Sequence, residues 1–391
     1  MNPNFLQIHT LTGYSATLLN RDDIGRAKRL PFGGAERIRV SSQCLKRHWR
    51  TEAGEWSLAE LGSGQSLRSR RIFSDIIAPR LANKQFTTEQ ILNVLVPIRS
   101  AVLGESIKAK AAKAAKKGEA ATEVSLDELH TEQVIVLGPP EINYLTDIAT
   151  QLAHDDADET KKAVEAYFKD KNTRDNLKAL AQGAGIDASL FGRMVTSDLM
   201  ARSDAAIHVA HAFTVHGEDA EPDYFSALDD LLAAEGKLGS GHINTTELTS
   251  GLFYGYVVVD LRQLLKNLSD DKDLAAEVVR RLVHLIATVS PGAKRGATAP
   301  YACAELVLAE AGERQPRTLA NAFMDPVPKA GAKKAAAAAL GSYLSRFDGM
   351  YGPHEDRRLA CMLPESPQAA GTSVSLAELA DWAARLVGAA R

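Results

Sequence analysis

Cysteine is scarce in this chain of 391 residues: Cys44, Cys303 and Cys361 are far apart, odd in number and form no C-x-x-C pair. That spacing argues against a disulfide framework and a structural zinc site, and it fits a reducing cytoplasm. Long apolar runs are missing too. No stretch approaches the roughly 18 apolar residues of a membrane span, and the opening MNPNFLQIHT lacks the basic-then-apolar order of an export signal. The chain is therefore expected to be neither exported nor membrane-spanning. No G-x-x-x-x-G-K-[ST] occurs, and GAGIDA at Gly183 has neither the preceding strand nor the acidic residue of a dinucleotide fold, so no cofactor is expected. Aromatic residues make up only 6% and the formal net charge is −3, so whole-chain composition does not point to nucleic acid.

The charge that is present is segregated. Residues 1–50 hold nine bases and three acids, whereas Gly217 to Glu235 holds seven acids and no base. A basic and an acidic surface on one chain permit both anion binding and self-association. Within the basic part, Arg37 to Arg50 reads RIRVSSQCLKRHWR, and its five bases (Arg37, Arg39, Lys46, Arg47, Arg50) without an acid make it the stretch expected to carry the working surface. Arg37 to Val40 alternates like a half-buried strand, and Ser41 or Ser42 can then cap a helix. At about 100° per residue, Gln43, Lys46, Arg47 and Arg50 share one face of that helix, and Cys44, Leu45, His48 and Trp49 the other. A helix start with free N–H groups, followed by convergent Lys and Arg, suits a polyphosphate; a solvated helix face is the plain alternative.

Phe5 to Gly13 reads as a first strand, and a turn-rich loop through Asn20-Arg21-Asp22-Asp23 and Pro31-Phe32-Gly33-Gly34 leads into the basic stretch. From Glu52 to about Gly183 the pattern is helical, near Ser66 to Leu81, Thr88 to Leu103, Pro140 to Ala153 and Thr160 to Ala181. Inside it, Lys108 to Ala121 is a low-complexity basic tract. Strand pattern returns at Asp187 to Met194 and again at Leu252 to Asp260, and the two could pair as a hairpin around an acidic insertion, Thr196 to Ser250. Asp273 can cap a helix to about Thr288, Tyr301 to Leu308 reads as a strand, and helices from Lys329 and from Leu376 close the chain. With insertions removed, the order is βαββαβ, an α+β class.

His208-x-x-His211 with His216 resembles metal chemistry, but no carboxylate or Cys stands at ligand spacing, so no metal is expected. His154-Asp155 lies in an acidic run that reads as a helix start. Asp22 and Asp23 could hold a divalent ion for strand cleavage; as turn residues they would bond their own backbone instead. Tyr224, Phe225 and Ile243 sit in the acidic insertion, where contact with nucleic acid would have to be by wedging or stacking rather than charge.

The ordered set NRDD, FGG, R-x-R-V-S-S-Q-x-L-K-R, GRM-x-TS at Gly192 to Ser197, AHAFTVH at Ala210 to His216, SGLFY-x-Y at Ser250 to Tyr256, PGAK at Pro291 to Lys294 and LANAF at Leu319 to Phe323 resembles CasC. CasC is the backbone subunit of the type I-E CRISPR surveillance complex, Cascade. The resemblance implies an RRM-like (ferredoxin-like βαββαβ) palm over residues 1–51, 184–195 and 251–391, a helical fingers insertion at 52–183 and an extended thumb hairpin at 196–250. It also implies several copies polymerised as a helical filament along one CRISPR RNA, paired with target DNA and assembled with other Cascade subunits, in a cytoplasmic, non-enzymatic role in antiviral defence. By position it assigns Arg21, Lys28, Ser41, Gln43, Lys46, Arg47 and Arg50 to the guide backbone, together with Lys294. Met194 matches a wedge against the guide, Tyr224, Phe225 and Ile243 match thumb contacts at a displaced nucleotide, and Lys161 and Lys162 match a finger helix that touches target DNA. The rival is a metal-dependent ribonuclease of a related CRISPR complex using Asp22 and Asp23; a structural oligomer without nucleic acid would leave the basic stretch unexplained.

Overall fold

Strand β1, Phe5–Thr17, is buried on both faces over its first half: Leu6 and Ile8 point one way, Gln7, His9 and Leu11 the other, and all five are inaccessible. Such a strand belongs inside a sheet. The computed structural model describes residues 3–62, 64–104, 125–173, 185–193, 203–218, 220–228 and 240–390, without the side chains of 225–228 and 240–244. The chain forms two units, one of Met1–Ser57, Ile207–Arg262 and Ala275–Arg391, the other of Leu58–Ala206 and Gln263–Leu274.

The first unit continues with β2 (Arg29–Phe32), β3 (Ala35–Val40) and helix α1 (Ser42–Thr51). After the second unit come β4 (Ile207–Val209), β5 (Ala212–Thr214), β6 (Ala220–Leu228) and β7 (Ser240–Asp260). Helix α2 (Lys272–Thr288), β8 (Leu306–Gly312), α3 (Ala332–Tyr351), β9 (Asp356–Cys361), β10 (Thr372–Ser373) and α4 (Leu376–Ala389) complete the chain. Among the described residues the sheet has ten strands in the order β10-β9-β8-β1-β7-β5-β3-β2, with β4 and β6 also paired to β7. Every named pairing is antiparallel except β9 with β10. Along the chain β1, α1, β4/β5, β7, α2 and β8 follow one another, and in space β8, β1, β7 and β5 are neighbours. The expected alternation of strands and helices is thus present, but its second strand is β4/β5, which lies inside the segment read as an insertion.

Of the strand expected at Asp187 to Met194, the described part up to Arg193 is not a strand. Ile186–Phe191 is a helix in the second unit, because Ile186 and Leu190 satisfy a period of four as readily as a period of two. Gly185 (φ +118°) and Gly192 (φ +75°) end it, and a Cβ at either would lie 2.8 Å from a backbone nitrogen, of Ser66 and Ala205 respectively. The buried Asp187 carboxylate accepts the Ser66 N–H and hydroxyl, both at 2.8 Å. The strand expected at Tyr301 to Leu308 begins only at Leu306, since the Ala302 N–H goes to Ser290 Oγ (2.9 Å) and the Ala304 N–H to Ala287 O (2.7 Å) at the end of α2. Asp271, not Asp273, accepts the Leu274 N–H (3.0 Å) at the start of α2.

Helices cover both faces of the sheet. On one, Leu45 and Trp49 of α1 and Ile286 of α2 line a small apolar cavity with Thr10, Phe253 and Val257. On the other, Ala336, Leu340 and Leu344 of α3 pack on Leu11, Tyr254, Leu308 and Leu359. Beneath α3 lies an ionic network. The Glu310 carboxylate accepts from His9 Nε2 (3.0 Å), Arg317 Nη2 (2.8 Å) and Arg357 Nε (2.6 Å). His9 Nδ1 in turn accepts from the Tyr254 hydroxyl (2.9 Å), which takes the Leu319 N–H (3.0 Å). Burial pushes the Glu310 pKa up, but the hydrogen bonds from Arg317 and His9 outweigh it and hold the group well below the usual range. Burial holds His9 below its ordinary value.

The second unit is mainly helical around Phe73, Leu95, Ile98, Leu145 and Phe168, with helices at Thr88–Leu103, Pro139–Leu152 and Ala157–Lys169. Where a helix from Ser66 was expected, Leu67–Ser69 pairs with Ile135–Leu137 as a short ribbon. Arg193 and Glu141 form a buried pair there, Nη1 reaching both carboxylate oxygens at 2.8 and 2.7 Å. The basic tract from Lys108 to Ala121 lies outside the described residues.

Candidate nucleic-acid interface

The loop NRDD is held against the start of α1 by the Asn20 side chain and by bonds within its own backbone. Asn20 Oδ1 accepts the Ser41 N–H (2.9 Å) and Asn20 O the Lys28 N–H (3.0 Å), while Lys28 O takes the Arg39 N–H (2.7 Å). Between them the chain reverses: Arg21 bridges Ala27, and Asp22 Oδ1 accepts the N–H groups of Ile24 (3.1 Å) and Arg26 (2.8 Å). Asp22 thus forms the turn, as an aspartate does when its carboxylate bonds backbone two residues on. Arg21 and Asp23 are exposed beside it.

Ser41 caps α1, its hydroxyl accepting the Cys44 N–H at 3.3 Å, and is buried. Beyond it the helix divides as its periodicity requires. Trp49 is buried, and Cys44 and Leu45 pack on Ile38, Val40 and Phe253; Gln43 and Arg47 are exposed, and Lys46 and Arg50 are half-buried. The charges converge around this helix. Burial raises the Cys44 thiol pKa while Lys28 and Arg47 draw it down, and burial lowers that of His48, with Arg295 and Arg47 adding to the effect. Lys28, Arg47 and Arg295 therefore act on one patch. By sequence Lys294 was assigned to the site and its neighbour Arg295 was not, although both stand in the basic loop Pro291 to Arg295.

The PGAK loop is tied in by the Ala293 N–H to Leu18 O bond (2.8 Å), and Lys294, in the left-handed region (φ 53°), reaches Thr246 Oγ1. Lys294 thus stands where β6 and β7 leave the sheet as a hairpin. Tyr224 pairs with Thr245, Phe225 with Asn244 and Ser226 with Ile243, and Tyr224 is exposed. The part of β7 from Ser240 to Thr249 spans roughly 30 Å at about 3.3 Å per residue. The side chains of Phe225 and Ile243, and all of Met194, lie outside the described residues. Lys161 and Lys162 are exposed on the helix Ala157–Lys169 of the second unit.

Arg37 does not belong to this surface. Its guanidinium is fully buried and donates to Phe32 O (3.2 Å), Thr214 O (2.9 Å) and Phe323 O (3.0 Å). On β3, Ile38 and Val40 face α1, so Arg37 faces the opposite side, where the 323–324 segment covers it. The Gly33-Gly34 turn of FGG serves the same packing, since a Cβ at Gly33 would collide with Met324 O. Two of the three histidines are occupied as well: His216 Nδ1 donates to Gly217 O (2.7 Å) and Nε2 accepts the Leu252 N–H (3.2 Å), and His211 Nδ1 lies 3.0 Å from Arg39 Nη1. Among the described residues no group of three or more His, Cys, Asp or Glu could hold a metal ion, and no helix is long and apolar enough to cross a membrane.

The family model described as "CT1975-like protein" matches residues 6–384. A chain from a solved "CRISPR RNA-guided surveillance complex, pre-nicking" superposes with a TM-score of 0.75 at 29% identity, covering 99% of this chain and 100% of that one. A chain from another "CRISPR RNA-guided surveillance complex" shares the fold with a TM-score of 0.58 at 22% identity, over 97% of this chain and 98% of that one. No curated protein matches.

Proposed function

Because the chain belongs to the CT1975-like protein family, we propose that it is the guide-RNA-binding backbone subunit of a type I-E CRISPR surveillance complex. The observation that carries this reading is the NRDD loop, with Arg21 exposed, held at the start of α1 by the Asn20–Ser41 bond, on a helix that exposes Gln43 and Arg47. Contacts of this kind hold phosphates without reading sequence, which leaves the bases of the guide free to pair with target DNA. In this reading the sheet with α1 and α2 is an RRM-like palm, the helical unit supplies fingers with Lys161 and Lys162 toward DNA, and the β6/β7 hairpin is a thumb. Copies stack along one CRISPR RNA in a helical filament, a heterologous contact that need not close, and join the other subunits in cytoplasmic antiviral defence.

The protein supplies geometry and does no chemistry in this account. The turn bonds of Asp22 favour a structural role over a metal-holding one. Extraction of nucleic acid from the purified protein tests the reading: RNA of uniform length is expected, and RNA-free protein that cuts RNA with Mg²⁺ or Mn²⁺ through Asp22 and Asp23 would establish the nuclease instead.

A further inference from the structure

Arg29 stands where the hairpin leaves the sheet. Its Nε donates to Glu218 Oε1 at 2.7 Å, its Nη1 to Ala27 O at 2.9 Å, and its Nη2 reaches both Glu218 Oε1 (2.5 Å) and Glu247 Oε1. Glu247 Oε2 accepts the Ala27 N–H at 2.5 Å, and the Glu218 N–H donates to Glu36 O at 2.8 Å. Glu247 pairs with Pro222 across the hairpin, two residues before Thr249 meets Thr17 of β1. One guanidinium and two carboxylates therefore tie the loop that carries Arg21 and Lys28 to β7 and to the segment that leads into β6, at the root of the hairpin. Bonds of this charge-assisted kind are directional as well as strong.

Acids at this place oppose an RNA partner electrostatically, so their value has to lie in position. We propose that Arg29, through Glu218 and Glu247, is a positioning residue that sets the direction in which the hairpin leaves the sheet, and with it the regular spacing at which successive hairpins cross a bound RNA. The inference rests on the guide-binding reading above. Its competitor is that Arg29 is one more phosphate contact, and the two differ in sign. If Arg29 positions, removing either acid harms assembly as removing the arginine does. If Arg29 binds phosphate, removing an acid frees it and tightens binding.

Wild type, Arg29→Gln, Arg29→Lys, Glu218→Gln and Glu247→Gln are assembled on a long single-stranded RNA, footprinted with ribonuclease and titrated across salt concentrations. The expected result is a regular protection pattern in wild type that blurs in all three Gln variants and is partly regained in Arg29→Lys, with the slope of log K against log salt unchanged. A slope flattened by about 0.7 in Arg29→Gln, with tighter binding and regular footprints in the two acid variants, would make Arg29 a phosphate contact and overturn the proposal. Regular footprints in all variants at an unchanged slope would also overturn it. If Arg29→Gln does not fold, the nearly isosteric Glu218→Gln decides alone. A wild type without any regular footprint would defeat the guide-binding reading, and this proposal with it.

Discussion

Arg357 and Arg29 each bridge two carboxylates, one beneath α3 and the other at the root of the hairpin. Arg357 donates to Glu310 (2.6 Å) and Asp348 (2.7 Å) with its side chain 6% exposed, and Glu310 has no exposure at all. Arg29 joins Glu218 and Glu247 with side chains 21%, 25% and 16% exposed. The chemistry is the same and the surroundings are not. In the interior, removing one partner strands a charge that water cannot reach, so the network fixes β1, β8, β9 and α3 through stability. At the rim, water replaces a missing partner at little cost, and what the pair retains is direction.

The largest effect should follow from Glu310→Gln, which removes the carboxylate hydrogen-bonded to both Arg317 and Arg357 and leaves them only the more distant Glu355 (3.9 and 3.7 Å) in common: a loss of about 3–5 kcal/mol in urea unfolding is expected. A loss below about 1 kcal/mol would erase the contrast between the two regions. Acid should act on the same network. His9 is held below its ordinary 6.5, so the unfolded chain takes up this proton first and stability falls as pH drops below about 6.5. Glu310 is held below its ordinary 4.5, so its contribution is present above that pH and is lost as pH falls further toward the folded value. His9→Gln should flatten the upper part of this dependence. His48, His211 and His284, which are also lowered, account for what slope remains.

Arg37→Met comes next, at roughly 1–3 kcal/mol, because carbonyl oxygens of Phe32, Thr214 and Phe323 lose their donor. RNA affinity per correctly folded molecule should keep its salt dependence; a flatter dependence would return Arg37 to the binding surface. Glu218→Gln should be the mildest, at no more than about 1 kcal/mol in the same unfolding assay, whatever it does to the footprint. A cost comparable to that of Glu310→Gln would show that exposure does not separate the two arginines.

The helix α1 was legible because its charge and its packing share one short period: Gln43 and Arg47 are exposed, and Trp49 buried, where 100° per residue places them. Asp22 was legible as a turn residue for a similarly local reason. Arg37 was misjudged because alternation says which side of β3 it faces and not what covers that side. Ile186–Phe191 is too short for its period to distinguish helix from strand. Arg29 was invisible for a third reason, since its partners lie 189 and 218 residues away, and no spacing rule connects them.

The central claim is that the charged face of α1 holds phosphates, and titration of single-stranded RNA across salt concentrations tests it most directly. With Lys46, Arg47 and Arg50 replaced together by Ala, the account predicts uniformly weaker binding for all sequences, with the slope of log K against log salt flattened by about 0.7 for each phosphate that is no longer neutralised. An unchanged slope in the folded triple variant would contradict it.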